Sequence, residues 1–167
     1  MYKRQTDIGI IVGTSEGALG TCCDFQSMIT EKGNASGSAF KFPNTVYNAA
    51  GGYLSICSGI KGYNVTVTNG AQSGLASMAY AMSVLRSGQE NAMLATGSDE
   101  NSDIMTELFG KLGVTSEKVV APFAGNDGFV LSDGSASVLI EDEKAARERG
   151  ARIYCHAAGY GLSLIHI

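Results

Sequence analysis

One stretch near the middle of the chain constrains its fold more than any other. Asn64–Thr68 (NVTVT) is rich in β-branched residues, which predicts a strand. A turn of small and polar residues, Asn69–Ser73, follows it, and Gly74–Arg86 then carries apolar residues on most faces, as a buried helix does. A glycine ends that helix, and Asn91–Thr96 (NAMLAT) predicts a second strand. Strand, turn, buried helix and strand form a βαβ unit, which implies a parallel sheet.

The segments on either side continue this α/β pattern. Asp7–Val12 predicts a buried strand. Asn44–Ser58 predicts a helix with its N-cap at the first or second residue, and the glycines inside it, Gly51 and Gly52, indicate that another backbone packs closely there. The other predicted elements are helices at Cys23–Lys32, Asp103–Leu112 and Asp142–Glu148, strands at Ser135–Glu141 and Ala151–Ala157, and irregular chain at Thr14–Gly20, Asn34–Pro43 and Val114–Lys118.

Composition narrows the class of partner. Hydrophobic residues make up 44% of the 167 residues and charged residues only 17%, which favours a chain that is mostly packed. A net charge of −4 argues against nucleic acid or an anionic membrane as the main partner. No run reaches the roughly 18 apolar residues of a membrane-spanning helix, and the N-terminus has no signal-peptide pattern. The sequence therefore predicts a cytoplasmic protein.

The four cysteines indicate neither a zinc site nor a disulfide framework. Cys22, Cys23, Cys57 and Cys155 show no CxxC spacing and no paired histidines nearby. They are expected to be small buried thiols in a reducing compartment. The acidic cluster Asp99, Glu100 and Asp103 is interpreted as a solvated or interface loop rather than a metal site, and no cofactor is expected.

The turn Asn69–Ser73 is where chemistry is expected. A strand that runs into a sharp turn and a buried helix places a residue at the helix N-terminus, where free N–H groups and the helix dipole stabilise negative charge. That field lowers the pKa of a thiol, and the same amides can bind an oxyanion. Any βαβ unit has such a turn, so the turn alone does not identify a function.

Several blocks together resemble the β-ketoacyl-acyl-carrier-protein synthases of the elongating, type II kind. They are the succession N-x-x-x-G-x-L-S-I-x-x-G-I-K-G at Asn48–Gly62, Ser73-Gly74-Leu75 with its apolar helix, Thr96-Gly97, Pro122-Phe123, Asp127–Gly134 (DGFVLSDG), and Gly150–Tyr154 (GARIY). The resemblance implies a thiolase-like layered α/β fold. This chain would be a fragment of its N-terminal half, with a mixed, largely parallel sheet and a buried central helix.

The resemblance also implies a nucleophile that this chain lacks. In the family the turn carries a cysteine that takes the acyl chain from a carrier protein, and here Ala71 occupies that position with Gln72 beside it. The residues expected to contact substrate are Gly70, Ala71, Gln72 and Ser73, with no catalytic residue intact. Cys57, the nearest thiol in sequence, belongs to the preceding helix. Neither His156, expected in a strand, nor His166 matches the family's two histidine motifs.

Three functions follow as hypotheses. The first is a nucleophile-lacking partner subunit, similar to a chain-length factor, that pairs with a ketosynthase (or with itself) through the strand Asn64–Thr68. The second is an active synthase whose nucleophile turn lies a residue or two away from the position assigned to it above. The third is a non-enzymatic domain that binds acyl-carrier protein. The expected domain spans residues 6–163, and the abrupt ends at 1–5 and 164–167 are interpreted as a non-native leader and tail or as variable termini.

Overall fold

The computed structural model describes residues 8–116, 118 and 128–163. Residues 1–7, 117, 119–127 and 164–167 lie outside the described residues, and with them the predicted leader and tail, His166 and most of the loop that begins at Pro122. The chain divides into two compact units. The first comprises residues 1–17, 47–98 and 135–167, and the second comprises residues 18–46 and 99–134.

A sheet forms the centre of the first unit. Its described strands are β1 (Ile8–Gly13), β2 (Asn64–Val67), β3 (Ala92–Asp99) and β4 (Gly134–Glu141), in the order β2-β1-β3-β4. β1 pairs in parallel with both β2 and β3, so the largely parallel sheet is confirmed. Parallel strands that are covered on both faces have continuous apolar sequences. β1 is such a strand, because its isoleucines and Val12 are almost completely buried from position 10 onward.

The helix α3 (Ser73–Arg86) packs on this sheet. Ala81 and Val84 of α3 join Ile11, Met93 and Ala95 of the sheet in the buried core. α3 is the predicted buried helix on its sheet-facing side, but Leu75 is 60% exposed and Tyr80 48% exposed, so its outer side is not covered in the described structure. Small residues such as Ser77 and Ala81 face the sheet and allow a close approach, and larger side chains are left on the outer side.

The helix α2 (Ala49–Ser58) begins later than predicted. Phe42–Asn44 form a short 3-10 turn, and the helix starts after Asn48, so neither Asn44 nor Thr45 caps it. Its two glycines differ in their surroundings.

A Cβ on Gly51 would lie 2.9 Å from the side-chain oxygen of Asn64, whose amide donates a hydrogen bond to the Gly51 carbonyl (3.0 Å). The other atoms close to that Cβ also belong to side chains, those of Thr66 and Val12, and a Cβ on Gly52 would have nothing within 4 Å. The prediction that another backbone packs closely at these glycines is therefore wrong.

The second unit contains the helices α1 (Leu19–Lys32) and α4 (Asp103–Leu112). α4 has the predicted bounds and is capped by Ser102, whose hydroxyl accepts a hydrogen bond from the Met105 N–H. α1 begins four residues before the predicted start at Cys23, because Leu19 and Gly20 are helical rather than part of a loop. Within this unit the rings of Phe25 and Phe42 lie 5.9 Å apart, and those of Phe109 and Phe129 lie 5.3 Å apart.

The segment after β4 departs from prediction. The short helix α5 (Glu143–Glu148) is confirmed and capped by Asp142, whose carboxylate accepts from the Ala145 N–H (3.2 Å). The predicted strand Ala151–Ala157 is wrong: a strand needs a partner, and no described strand pairs with these residues.

The exposure of the cysteines also differs from the prediction. Cys22, Cys57 and Cys155 are exposed and Cys23 is half-buried, so the expectation of buried thiols is wrong; all four are free. Among the described residues no helix is long and apolar enough to cross a membrane.

Candidate functional site

The turn before α3 is held by a short hydrogen-bond network. The Gln72 N–H donates to the Asn69 carbonyl (3.2 Å) and the Ser73 N–H to the Gly70 carbonyl (3.0 Å). The Ser73 hydroxyl accepts from the Asn69 N–H (2.8 Å) and donates to the Gly70 carbonyl (2.6 Å). Because Ser73 is only 1% exposed, its hydroxyl fixes the shape of the turn from inside. Gly70 takes the left-handed conformation (φ +54°) that this sharp reversal requires.

Three glycines let the start of α3 lie against the sheet. A Cβ on Gly13, the last residue of β1, would be 2.0 Å from the Ser73 carbonyl oxygen. A Cβ on Gly97 of β3 would be 3.1 Å from the Cα of Gly74. Real Cβ atoms essentially never come within 3.0 Å of another backbone, so any side chain at position 13 would push α3 away from β1. The sequence thus sets the helix N-terminus at the carboxyl ends of two parallel strands, where α/β folds commonly place their sites.

Gly70 and Ala71 are the exposed residues of the turn. Ala71 is exposed, and its methyl group can neither attack a thioester nor transfer a proton. Gln72 is half-buried and occupies the N-cap position of α3, but its side chain does not cap the helix. Its amide nitrogen donates instead to the carbonyl of Ser163 (2.7 Å). The field of the 14-residue helix still favours negative charge at this point.

The other candidate residues lie elsewhere in the chain. Cys57 is the last but one residue of α2, as the sequence predicted. His156 is exposed and lies outside any strand; its Nδ1 is 3.5 Å from a carboxylate oxygen of Glu143. On this exposed helix face the hydrogen bond from Arg147 to Glu143 (2.8 Å) holds the pKa of the Glu143 carboxyl below its ordinary value.

The structure brings Gly70, Ala71, Gln72 and Ser73 together as one turn, with different exposures. It adds one partner that sequence reasoning missed, because the Gln72–Ser163 contact joins residues 91 positions apart and has no local signal. No group of three or more His, Cys, Asp or Glu residues that could hold a metal ion occurs within residues 8–116, 118 and 128–163.

Comparison with known proteins identifies the family. Residues 2–146 match the model of the β-ketoacyl synthase N-terminal domain. The 3-oxoacyl-[acyl-carrier-protein] synthase 2 of Vibrio harveyi is 32% identical over 169 residues, which cover 96% of this chain and 41% of that protein. The chain therefore spans about two fifths of the length of this curated relative.

Two solved structures of related proteins have a similar fold. A β-ketoacyl synthase from Burkholderia phymatum superposes with a TM-score of 0.76 at 23% identity, over 90% of this chain and 39% of that one. The ishigamide ketosynthase/chain length factor superposes with a TM-score of 0.64 at 25% identity, over 84% of this chain and 37% of that one. The match of residues 2–146 to the family model shows that the chain belongs to the β-ketoacyl synthase family, and the solved structures show that it has the thiolase-like fold.

Proposed function

We propose that this chain is a β-ketoacyl-acyl-carrier-protein synthase homologue of fatty-acid or polyketide biosynthesis that lacks the nucleophile. It would serve as the partner subunit of an active ketosynthase, in the manner of a chain-length factor. The observation that carries the proposal is Ala71, exposed beside the N-terminus of α3 at the position that the family resemblance assigns to cysteine. A cytoplasmic location is part of the same proposal.

The chemistry explains why one residue changes the role. A ketosynthase first moves an acyl group from its carrier onto a thiolate and then joins it to a decarboxylated malonyl unit. The first step needs a nucleophilic atom at the helix N-terminus, and alanine has none. What this chain keeps is the sharp turn, the helix field and the close packing of α3 on β1. Those features can shape the wall of an acyl site without forming a bond to the acyl group.

The described sheet offers a surface through which such a subunit could pair. β2 is an edge strand, since β1 is its only neighbour in the described sheet. Edge strands present unpaired N–H and C=O groups to a partner. The helix α2 packs against β2 and leaves Ile56 77% exposed and Tyr53 54% exposed. An apolar helix face beside an open strand edge is suited to a protein partner rather than to water.

The two alternatives have less support. An active synthase with a misplaced nucleophile would need a thiol at the turn, but the four cysteines lie at positions 22, 23, 57 and 155, far from it in sequence. A domain that only binds carrier protein would require neither the edge strand nor the apolar face of α2 for its function. Association with a ketosynthase separates this alternative from the proposal.

Placing a charge on the exposed face of α2 should weaken that association. The variant Ile56→Asp, co-expressed with a ketosynthase that copurifies with the unchanged chain, should bind it about thirtyfold more weakly, because loss of a buried interface anchor costs about 2 kcal/mol. The variant should fold normally, since Ile56 is largely solvated in the chain alone. Affinity would be measured by titration of the purified chain into the ketosynthase.

Ile104→Asp is the matched control. Ile104 is also an exposed isoleucine on a helix, but it belongs to α4 in the second unit, and this variant should bind as well as the unchanged chain. Equal binding by all three proteins would show that α2 is not the interface. If the unchanged chain associates with no ketosynthase but binds acyl-carrier protein, the carrier-binding alternative replaces the proposal.

A further inference from the structure

The helix α4 of the second unit exposes a row of large apolar side chains. Ile104, Leu108 and Leu112 recur every four residues, so they lie on one face of the helix, and we call them the α4 stripe. They are 48%, 47% and 62% exposed, and no residue of α4 is buried. Apolar residues at this spacing normally face the core of a protein. The α4 stripe is therefore suited to a protein partner.

A neighbouring face of α4 holds the helix to its own unit. Met105 and Phe109 are half-buried, and the ring of Phe109 packs edge-on against that of Phe129 at 5.3 Å. Phe129 donates a backbone hydrogen bond to the Val114 carbonyl (3.3 Å), and both side chains are about two fifths exposed. The exposed apolar surface thus continues beyond Leu112, and the helix keeps an anchor that does not use the α4 stripe.

A charged flank runs beside the α4 stripe. Glu107 and Lys111 each precede a residue of the stripe by one position, so both lie on the same side of it. They form an exposed ion pair in which the Lys111 Nζ is 2.5 Å from a Glu107 carboxylate oxygen. If a second α4 helix lies antiparallel across the stripe, two-fold symmetry keeps the flank on one side of the pair and reverses its order. Lys111 of each copy then lies about 3 Å along the axis from Glu107 of the other, so opposite charges meet.

We propose that two copies of this chain pair through the α4 stripe, with their α4 helices antiparallel. A two-fold interface must be complementary to itself. The α4 stripe is, because Ile104 and Leu112 lie at equal distances on either side of Leu108, and each would meet the other across the axis. The flank adds complementary charge. A helix of 10 residues is only about 15 Å long, so the contact is small and the dimer should be weak and concentration-dependent.

Sedimentation equilibrium of the full chain, from micromolar to millimolar concentration, measures this dimer. Leu108→Asp should weaken it about thirtyfold or more, because a central apolar anchor contributes that much to an interface. The variant should fold, since Leu108 is already about half exposed in the chain alone, and circular dichroism checks this. Ile56→Asp is the matched control: it places the same charge on an exposed residue of α2, in the first unit, and should leave the dimer unchanged. The dimer is thus tested independently of any pairing with a ketosynthase.

Two charge variants test the antiparallel arrangement. Glu107→Lys and Lys111→Glu should each weaken self-association about fivefold, because each replaces two symmetry-related contacts of opposite charge by contacts of like charge. An equimolar mixture of the two variants should associate more tightly than either variant alone, since the lysines of one copy then face the glutamates of the other. Effects within a single helix cannot produce that gain, so the mixture separates pairing from folding.

Three results would overturn the proposal. The first is an unchanged chain that stays monomeric over the whole concentration range. The second is a loss of the dimer in Ile56→Asp as large as that in Leu108→Asp, since the surface would then not be specific to α4. The third is a mixture of the charge variants that associates no more tightly than either alone, because the two flanks would then not face each other.

Discussion

Cysteine in place of Ala71 should react with iodoacetamide at pH 7 about five to ten times faster than the native Cys57. Ala71 is exposed and immediately precedes Gln72, the N-cap residue of the 14-residue helix α3, so the new thiolate would lie in the positive field of the helix. Such positions lower a thiol pKa by about one unit or more, which raises the thiolate fraction at neutral pH several-fold. Cys57 is also exposed but lies in the last turn of α2, where the field has the opposite sign.

Peptide mass spectrometry over a time course measures both residues in the same protein. The native Cys57 is the internal reference, and its rate should not change between the unchanged chain and Ala71→Cys. Equal rates at positions 57 and 71 would show that the turn no longer favours negative charge. In that case the site would have lost more than its nucleophile, and a role in shaping an acyl site would lose its physical basis.

Alanine at Gly13 should destabilise the first unit by about 3 kcal/mol or more, at the upper end of what overpacking costs in a closely packed interior. The added Cβ would lie 2.0 Å from the Ser73 carbonyl oxygen, which is helix backbone and cannot rotate away. Either β1 or the start of α3 must shift, although Gly13 is fully buried and paired to both β2 and β3. Urea denaturation followed by circular dichroism measures the free energy of unfolding.

Gly52→Ala is the control for this substitution. Gly52 lies inside α2, and a Cβ there meets nothing within 4 Å, so alanine should stabilise the chain by roughly 0.5–1 kcal/mol through its better helix propensity. If Gly13→Ala unfolds at the same urea concentration as the unchanged chain, α3 does not depend on close contact with β1. The account of how the turn is positioned would then be wrong.

The architecture was predictable where local pattern and long-range packing agree. The β-branched run at Asn64, the apolar helix after Ser73 and the strand at Ala92 each carry a clear periodicity, and together they implied the parallel sheet. Predictions failed where the outcome depends on distant residues. Ala151–Ala157 has the composition of a strand, yet no described strand pairs with it. The exposure of Leu75 depends likewise on what covers α3, which its own sequence does not encode.

The candidate site was likewise predictable only in part. The turn and its helix were located from pattern, and the place of Ala71 in it came from the resemblance to the family. The inward role of the Ser73 hydroxyl was not predictable, because serines at helix starts also face solvent or a ligand in other proteins. The Gln72–Ser163 contact depends on how two distant segments pack, so only the three-dimensional structure reveals it.

Transfer of an acyl group from acyl-carrier protein tests the missing nucleophile most directly. The unchanged chain and Ala71→Cys would each be incubated with radiolabelled acyl-carrier protein, and the label retained by each protein after denaturation would be measured. The account predicts no covalent label on the unchanged chain and a thioester-linked label on Ala71→Cys, because only the variant has a thiol at the N-terminus of α3. A stable acyl label on the unchanged chain would contradict it, since one of its own residues would then act as the nucleophile.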